Sequence, residues 1–155
     1  MKKIALAVTA ACLASSVALA GGHAKNVKIG IALGFTGPAE SLAESMARGA
    51  ELAIKEVNAS GALLDNAKID VVRADSTCTD AAAAAAAAER LVSAEKVDSI
   101  IGGLCSGATI SMLQNVAMAK GVVLFSPSAT SPALSTLEDN GLFFRASPSD
   151  ARQGQ

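Results

Sequence analysis

The chain has 155 residues, of which 51% are hydrophobic and 17% charged. That is enough apolar weight for about one packed domain and too little polarity for a disordered chain. Its formal net charge of −1 excludes the basic face with which nucleic-acid binders displace counterions.

The N-terminus reads as a leader rather than as part of the fold. Lys2 and Lys3 precede an uncharged run from Ile4 to Ala20, which closes on Ala18-Leu19-Ala20. A positive start, an apolar middle and a small-x-small end are what signal peptidase accepts. At 17 residues, much of it Ala, Ser and Thr, the run is short and weakly apolar for a membrane anchor. No Leu stands third before Cys12, so it lacks a lipoprotein pattern. The expectation is a signal peptide over residues 1–20, with a second cleavage point after Ala24, and export to the periplasm. Eleven basic and fourteen acidic residues remain after cleavage, a net charge of −3. Cys78 and Cys105 are then the two remaining cysteines. In an exported chain two cysteines read as one disulfide, with two buried thiols as the alternative. A bridge across those 27 positions is worth about 3–4 kcal/mol through loop-closure entropy.

Beyond the leader, apolar strands alternate with helices. Val27 to Leu33 is β-branched and apolar, a buried strand. Gly34 to Pro38 breaks it, and Ala39 to Asn58 reads as a helix. Its stripe is Leu42, Met46, Ala50, Ala53 and Val57, and Gly61 stands at its stop. Lys68 to Ala74 alternates polar and apolar residues, as a strand near an edge does. Thr79-Asp80 opens the next helix, with acceptors for its free amides, and Ala81 to Ala88 continues it, alanine being the best helix former. Ser99 to Gly103 is a short buried strand, Ala108 to Lys120 a helix stopped by Gly121, and Val122 to Phe125 a fourth buried strand. A Ser-, Thr- and Pro-rich loop over Ser126 to Ser135 leads to a fifth strand, Leu142 to Arg145. Ser149-Asp150 starts a further helix. This order predicts an α/β fold, a doubly wound parallel sheet covered on both faces. Ligands of such sheets bind beyond the carboxyl ends of the strands, which directs attention to loops 34–38, 75–79, 104–108 and 126–132.

Two of these loops have chemistry to offer. Leu104-Cys105-Ser106-Gly107-Ala108-Thr109 joins a strand to a helix start. Small residues there leave helical amides open to an anion such as a carboxylate, and Ser106 adds a hydroxyl. An ordinary Ser or Thr helix cap explains the same residues. Ser126-Pro127-Ser128-Ala129-Thr130-Ser131-Pro132 holds carbonyls that could accept from an ammonium group and hydroxyls that could bind a carboxylate; a polar surface loop has the same composition. Enzymatic readings find little support. The one histidine, His23, lies beside the cleavage points, so no Ser-His-Asp set can form. Dinucleotide and P-loop glycine patterns and a G-x-S-x-G elbow do not occur. Two cysteines without histidine make a poor zinc site. Nothing calls for a metal or a cofactor.

The stretches VKIGIALGFTGP, GAELAIKEVNASG, DSTC, IIGGLCSGAT, VVLFSPSATSPAL and FRASPSDARQG, in this order and spacing, resemble the leucine/isoleucine/valine-binding proteins of bacterial ABC transporters. These belong to the type I periplasmic binding fold. The similarity runs over residues 27–155. The resemblance implies a partial first lobe of a two-lobed protein, an N-terminal piece of a chain more than twice as long. It implies a disulfide between Cys78 and Cys105. It implies that Ser106 and Thr130 bind the α-carboxylate and α-amino groups of an amino acid, with Ser128 contributing its backbone carbonyl. Leu42, Gly107 and Ala129 are further candidates for ligand contact, Leu42 standing where the family often has an aromatic residue. The implied partners are an amino acid, aliphatic or branched, and a permease in the inner membrane, served by a binding protein that is monomeric at full length. A sensory ligand-binding domain of the same fold, or a binder of amides, urea or aromatic acids, is the alternative.

Overall fold

The computed structural model describes residues 26–63 and 66–153. The expected leader and both cleavage points lie outside them. Five strands form one sheet: β1 (Val27–Leu33), β2 (Ile69–Asp75), β3 (Ser99–Gly102), β4 (Val123–Ser126) and β5 (Phe143–Arg145). All neighbours pair in parallel, in the order β2-β1-β3-β4-β5. This is the doubly wound arrangement the alternation predicts, and β2 takes the edge position that its polar alternation anticipates. The order reverses between β1 and β3, which opens a crevice at their carboxyl ends.

Helix α1 (Glu40–Ser60) lies on one face. The other face carries α2 (Ala81–Glu89), prolonged by a wider turn over Arg90–Ala94, and α3. Helix α3 runs over Ser106–Met112, continues through a wider turn at Leu113–Ala117, and ends in Met118–Lys120. The polyalanine run is ordered helix. Asp80 caps it by accepting from the amides of Ala82 and Ala83 at 2.8 and 2.9 Å. Alanine side chains let α2 lie close to the strands, with Ala84, Ala88 and Leu91 fully buried. Gly121 closes α3 in the left-handed region, φ 67°, a conformation that costs glycine nothing. Gly102 is required for a different reason: a Cβ there would stand 2.2 Å from the Ala32 carbonyl oxygen.

Three details differ from the sequence expectation. The buried stripe of α1 is Ala43, Ala47 and Ile54, whereas Leu42 and Val57 are exposed. The small residues bring the helix axis close to Ile31 and Leu33, and so the larger apolar side chains one position round are turned out. Helix α3 begins at Ser106 rather than at Ala108, because Cys105 is extended and its carbonyl already accepts from Thr109 at 2.9 Å. Finally, β4 is not buried on both sides: Val123 and Phe125 are exposed, as is Phe144 of β5. They alternate with the buried Leu124 and Phe143, on the side of the sheet that α1 covers only over β1, β2 and β3.

Candidate ligand-binding site

The ends of β1, β3 and β4 bring three loops together at the switch point. The disulfide Cys78–Cys105, with Cα atoms 5.3 Å apart, ties the loop after β2 to the loop after β3. Its second half-cystine directly precedes Ser106.

Ser106 is not a helix cap. The N-cap residue of α3 is Cys105, which makes no side-chain cap bond. The Ser106 hydroxyl instead reaches across to the loop after β4. It accepts from the amides of Thr130 at 3.2 Å and Ser131 at 3.1 Å. A hydroxyl has one donor and two acceptor positions. Both acceptor positions of Ser106 are filled from within the protein, so its proton is left to donate elsewhere. The amides of Ser106, Gly107 and Ala108 have no acceptor among the described residues, and open space lies where a Gly107 side chain would stand.

The loop after β4 is turned by Ser126, which is fully buried. Its hydroxyl donates to the Gly103 carbonyl at 2.8 Å and accepts from the amides of Ser128 and Ala129. Every hydrogen-bonding position of this side chain is used, which locks β4 to β3 below the site. Ser128 donates its hydroxyl to the Leu104 carbonyl at 2.9 Å, leaving its own carbonyl unengaged among the described residues. The Thr130 hydroxyl is likewise unengaged among them, while the Thr130 carbonyl accepts from Asp150 at 2.9 Å. Ala129, a candidate from sequence, offers little: its side chain is in the core, its amide is held by Ser126, and its carbonyl by Arg145. Leu42 is 56% exposed in the first turns of α1. Sequence reasoning missed Ser126 and Arg145. A hydroxyl residue and a lone cation, each closing an otherwise apolar strand, were the available signals.

The loop after β1 is built differently. Asp75 accepts from the amides of Phe35 and Thr77, both at 2.9 Å, and from the Thr36 hydroxyl. Desolvation opposes its charge, but the bonds from Thr36, Thr77 and Phe35 outweigh that and hold its carboxyl below the usual range. Arg73 forks onto Glu51 at 2.6 and 2.8 Å, reaches Glu44 at 2.9 Å, and lies 5.2 Å from the Phe35 ring. The hydrogen bond from Arg73 holds the Glu51 carboxyl below its usual range, and those from Arg48 and then Arg73 do the same for Glu44. A depression of about 530 Å³ lies over this network, lined by Phe35, Glu40, Glu44, Arg73, Ala74 and Asp75. It is larger than the hollow of about 340 Å³ that Thr130 shares with Ser149 and Arg152. Size is a poor guide here, since Arg73 and Asp75 are already engaged with protein groups.

Residues 26–155 match the family described as periplasmic binding protein. The chain belongs to this family. An amino acid binding protein of Pseudomonas aeruginosa is 34% identical over 151 residues, 97% of this chain and 38% of that protein. Among solved structures, the branched-chain amino acid transporter substrate binding protein LivJ of Streptococcus pneumoniae, in complex with isoleucine, superposes with a TM-score of 0.74. It is 33% identical and covers 81% of this chain and 35% of that one. A solute binding protein of an ABC transporter from R. palustris, in complex with benzoate, gives a TM-score of 0.69 at 26% identity, covering 82% and 34%. The similarity to branched-chain amino-acid-binding proteins is therefore shown by sequence and by fold. These relatives are solute-binding proteins and not enzymes. The chain spans less than two fifths of the length of the curated relatives it matches.

Proposed function

We propose that this chain is the first lobe of an extracytoplasmic solute-binding protein that delivers an amino acid, aliphatic or branched, to an ABC transporter permease. The observation that carries the reading is Ser106. Its acceptor positions are filled by the Thr130 and Ser131 amides, so it can meet a ligand only as a donor, and a donor beside open helix-start amides suits a carboxylate. Thr130 Oγ1 adds a second free hydroxyl. The unengaged Ser128 carbonyl is an acceptor for the ammonium group. Leu42, exposed on α1, and Gly107, with open space before it, are the further positions assigned to ligand contact in this reading. Residues 1–20 or 1–24 act as the signal peptide, and the working protein is a monomer in the periplasm. A second lobe, contributed by the remainder of a longer protein, closes over the ligand. Excluding water strengthens each charge-assisted bond.

Calorimetric titration of the full-length protein with leucine, isoleucine, valine and benzoate tests this reading. Micromolar or tighter binding of an aliphatic amino acid supports it. Binding of benzoate without the amino acids keeps the carboxylate site and replaces the substrate class. Binding of none of them overturns it.

A further inference from the structure

We propose that Arg145 is a positioning residue for the carboxylate site, acting through the peptide between Ala129 and Thr130. This rests on the carboxylate-binding reading of Ser106 given above. Arg145 ends β5 and is half-buried. Its Nη1 donates to the carbonyls of Ala129 at 3.3 Å and Ser131 at 2.9 Å, and its Nη2 to the Ser135 hydroxyl. One guanidinium therefore gathers the carbonyls on either side of Thr130 and the short helical turn Pro132–Ser135 that follows.

In a trans peptide the carbonyl and the amide point in opposite directions. Drawing the Ala129 carbonyl towards Arg145 turns the Thr130 amide the other way, onto the Ser106 hydroxyl. The next peptide repeats the arrangement, with its carbonyl held by the Asp150 amide and its Ser131 amide on Ser106. The route from Arg145 to Ser106 is thus a chain of hydrogen bonds with one direction of polarity. A cation pulling on the Ala129 carbonyl makes the Thr130 amide a stronger donor. That in turn makes the Ser106 hydroxyl a stronger donor to an anion, because bonds in such chains polarise one another. The same contacts keep the carbonyl dipoles of Ala129 and Ser131 on Arg145, away from the place a carboxylate would occupy.

A double-mutant cycle on the full-length protein, titrated with leucine, tests the coupling. Arg145→Gln weakens binding about tenfold. In a Ser106→Ala background the same change costs less than about twofold, since the route has lost its end. Arg145→Lys, which keeps the charge without the fork, falls between wild type and Arg145→Gln. In the ligand-free protein, the amide protons of Thr130 and Ser131 lose their hydrogen-bonded NMR shifts in Arg145→Gln, while those of β1 and β2 keep theirs. A purely structural role would lower affinity equally in both backgrounds, and that result overturns the proposal. So do Thr130 and Ser131 amide signals that stay in place in Arg145→Gln. If the wild type binds benzoate and no amino acid, the substrate class fails while the same cycle on benzoate still reads Arg145.

Discussion

The β1–β2 half and the β3–β4 half of the carboxyl edge are both rich in polar side chains, but they spend them differently. Around Asp75 the charged and polar groups meet one another: the carboxylate takes Phe35, Thr36 and Thr77, and Arg73 takes Glu44 and Glu51. Around Ser106 the Thr130 and Ser131 amides fill the acceptor positions of its hydroxyl, while its proton, the Thr130 hydroxyl and the Ser128 carbonyl are unengaged among the described residues. A self-satisfied network holds a loop still, whereas a network with unspent donors can receive an anion. The larger depression lies over the first kind, where the charged groups of its lining already meet protein partners.

The largest expected effect comes from the link between the two halves. Replacing Cys78 and Cys105 together by serine should destabilise the protein by about 3–4 kcal/mol, measured by urea denaturation. A loss below about 1 kcal/mol would mean that other contacts hold the halves together.

Next comes the open half. Thr130→Val should weaken leucine binding about ten- to a hundredfold and leave the melting temperature of the ligand-free protein unchanged, because Thr130 Oγ1 makes no bond among the described residues. Ser106→Ala should lose affinity by a similar factor and also lower the melting temperature. It strands the Thr130 and Ser131 amides that its oxygen receives. Equal melting temperatures for the two variants would show that the Ser106 contacts are not made in solution.

In the closed half, Asp75 predicts a pH effect. A carboxyl held below its unfolded value contributes stability above about pH 4 and loses it as pH falls through the folded value. Asp75→Asn should therefore be less stable than wild type at neutral pH, and the difference should shrink in acid. A gap that widens in acid would contradict the assigned hydrogen bonds.

The smallest effect belongs to Arg73 and its partners. Glu51→Gln should cost under about 1 kcal/mol, less at high salt, as exposed ion pairs do. It should leave leucine affinity untouched. A clear loss of affinity would move the binding site to the β1–β2 half and break the contrast.

The alternation of apolar strands with helices, the capping by Asp80, the stop at Gly121 and the helical reading of the polyalanine run were legible in the sequence. Each is a local preference of backbone and side chain. Which face of α1 packs was legible only in part: Met46 and Ala50 of the expected stripe lie against the core, whereas Leu42 and Val57 are exposed. The stripe at Leu42 and the one at Ala43 have the same period, and only the close approach of helix to sheet selects the smaller residues. Nor did spacing separate a cap from a ligand group at Ser106. Its partners lie 24 and 25 positions further on, and Arg145, which holds that loop, lies 14 and 16 from the carbonyls it binds. By itself the sequence determined the elements and their order, because propensity and periodicity act over a few residues. The tertiary structure decided which hydroxyls remain free, because hydrogen-bond capacity is used up by groups that only folding brings within reach.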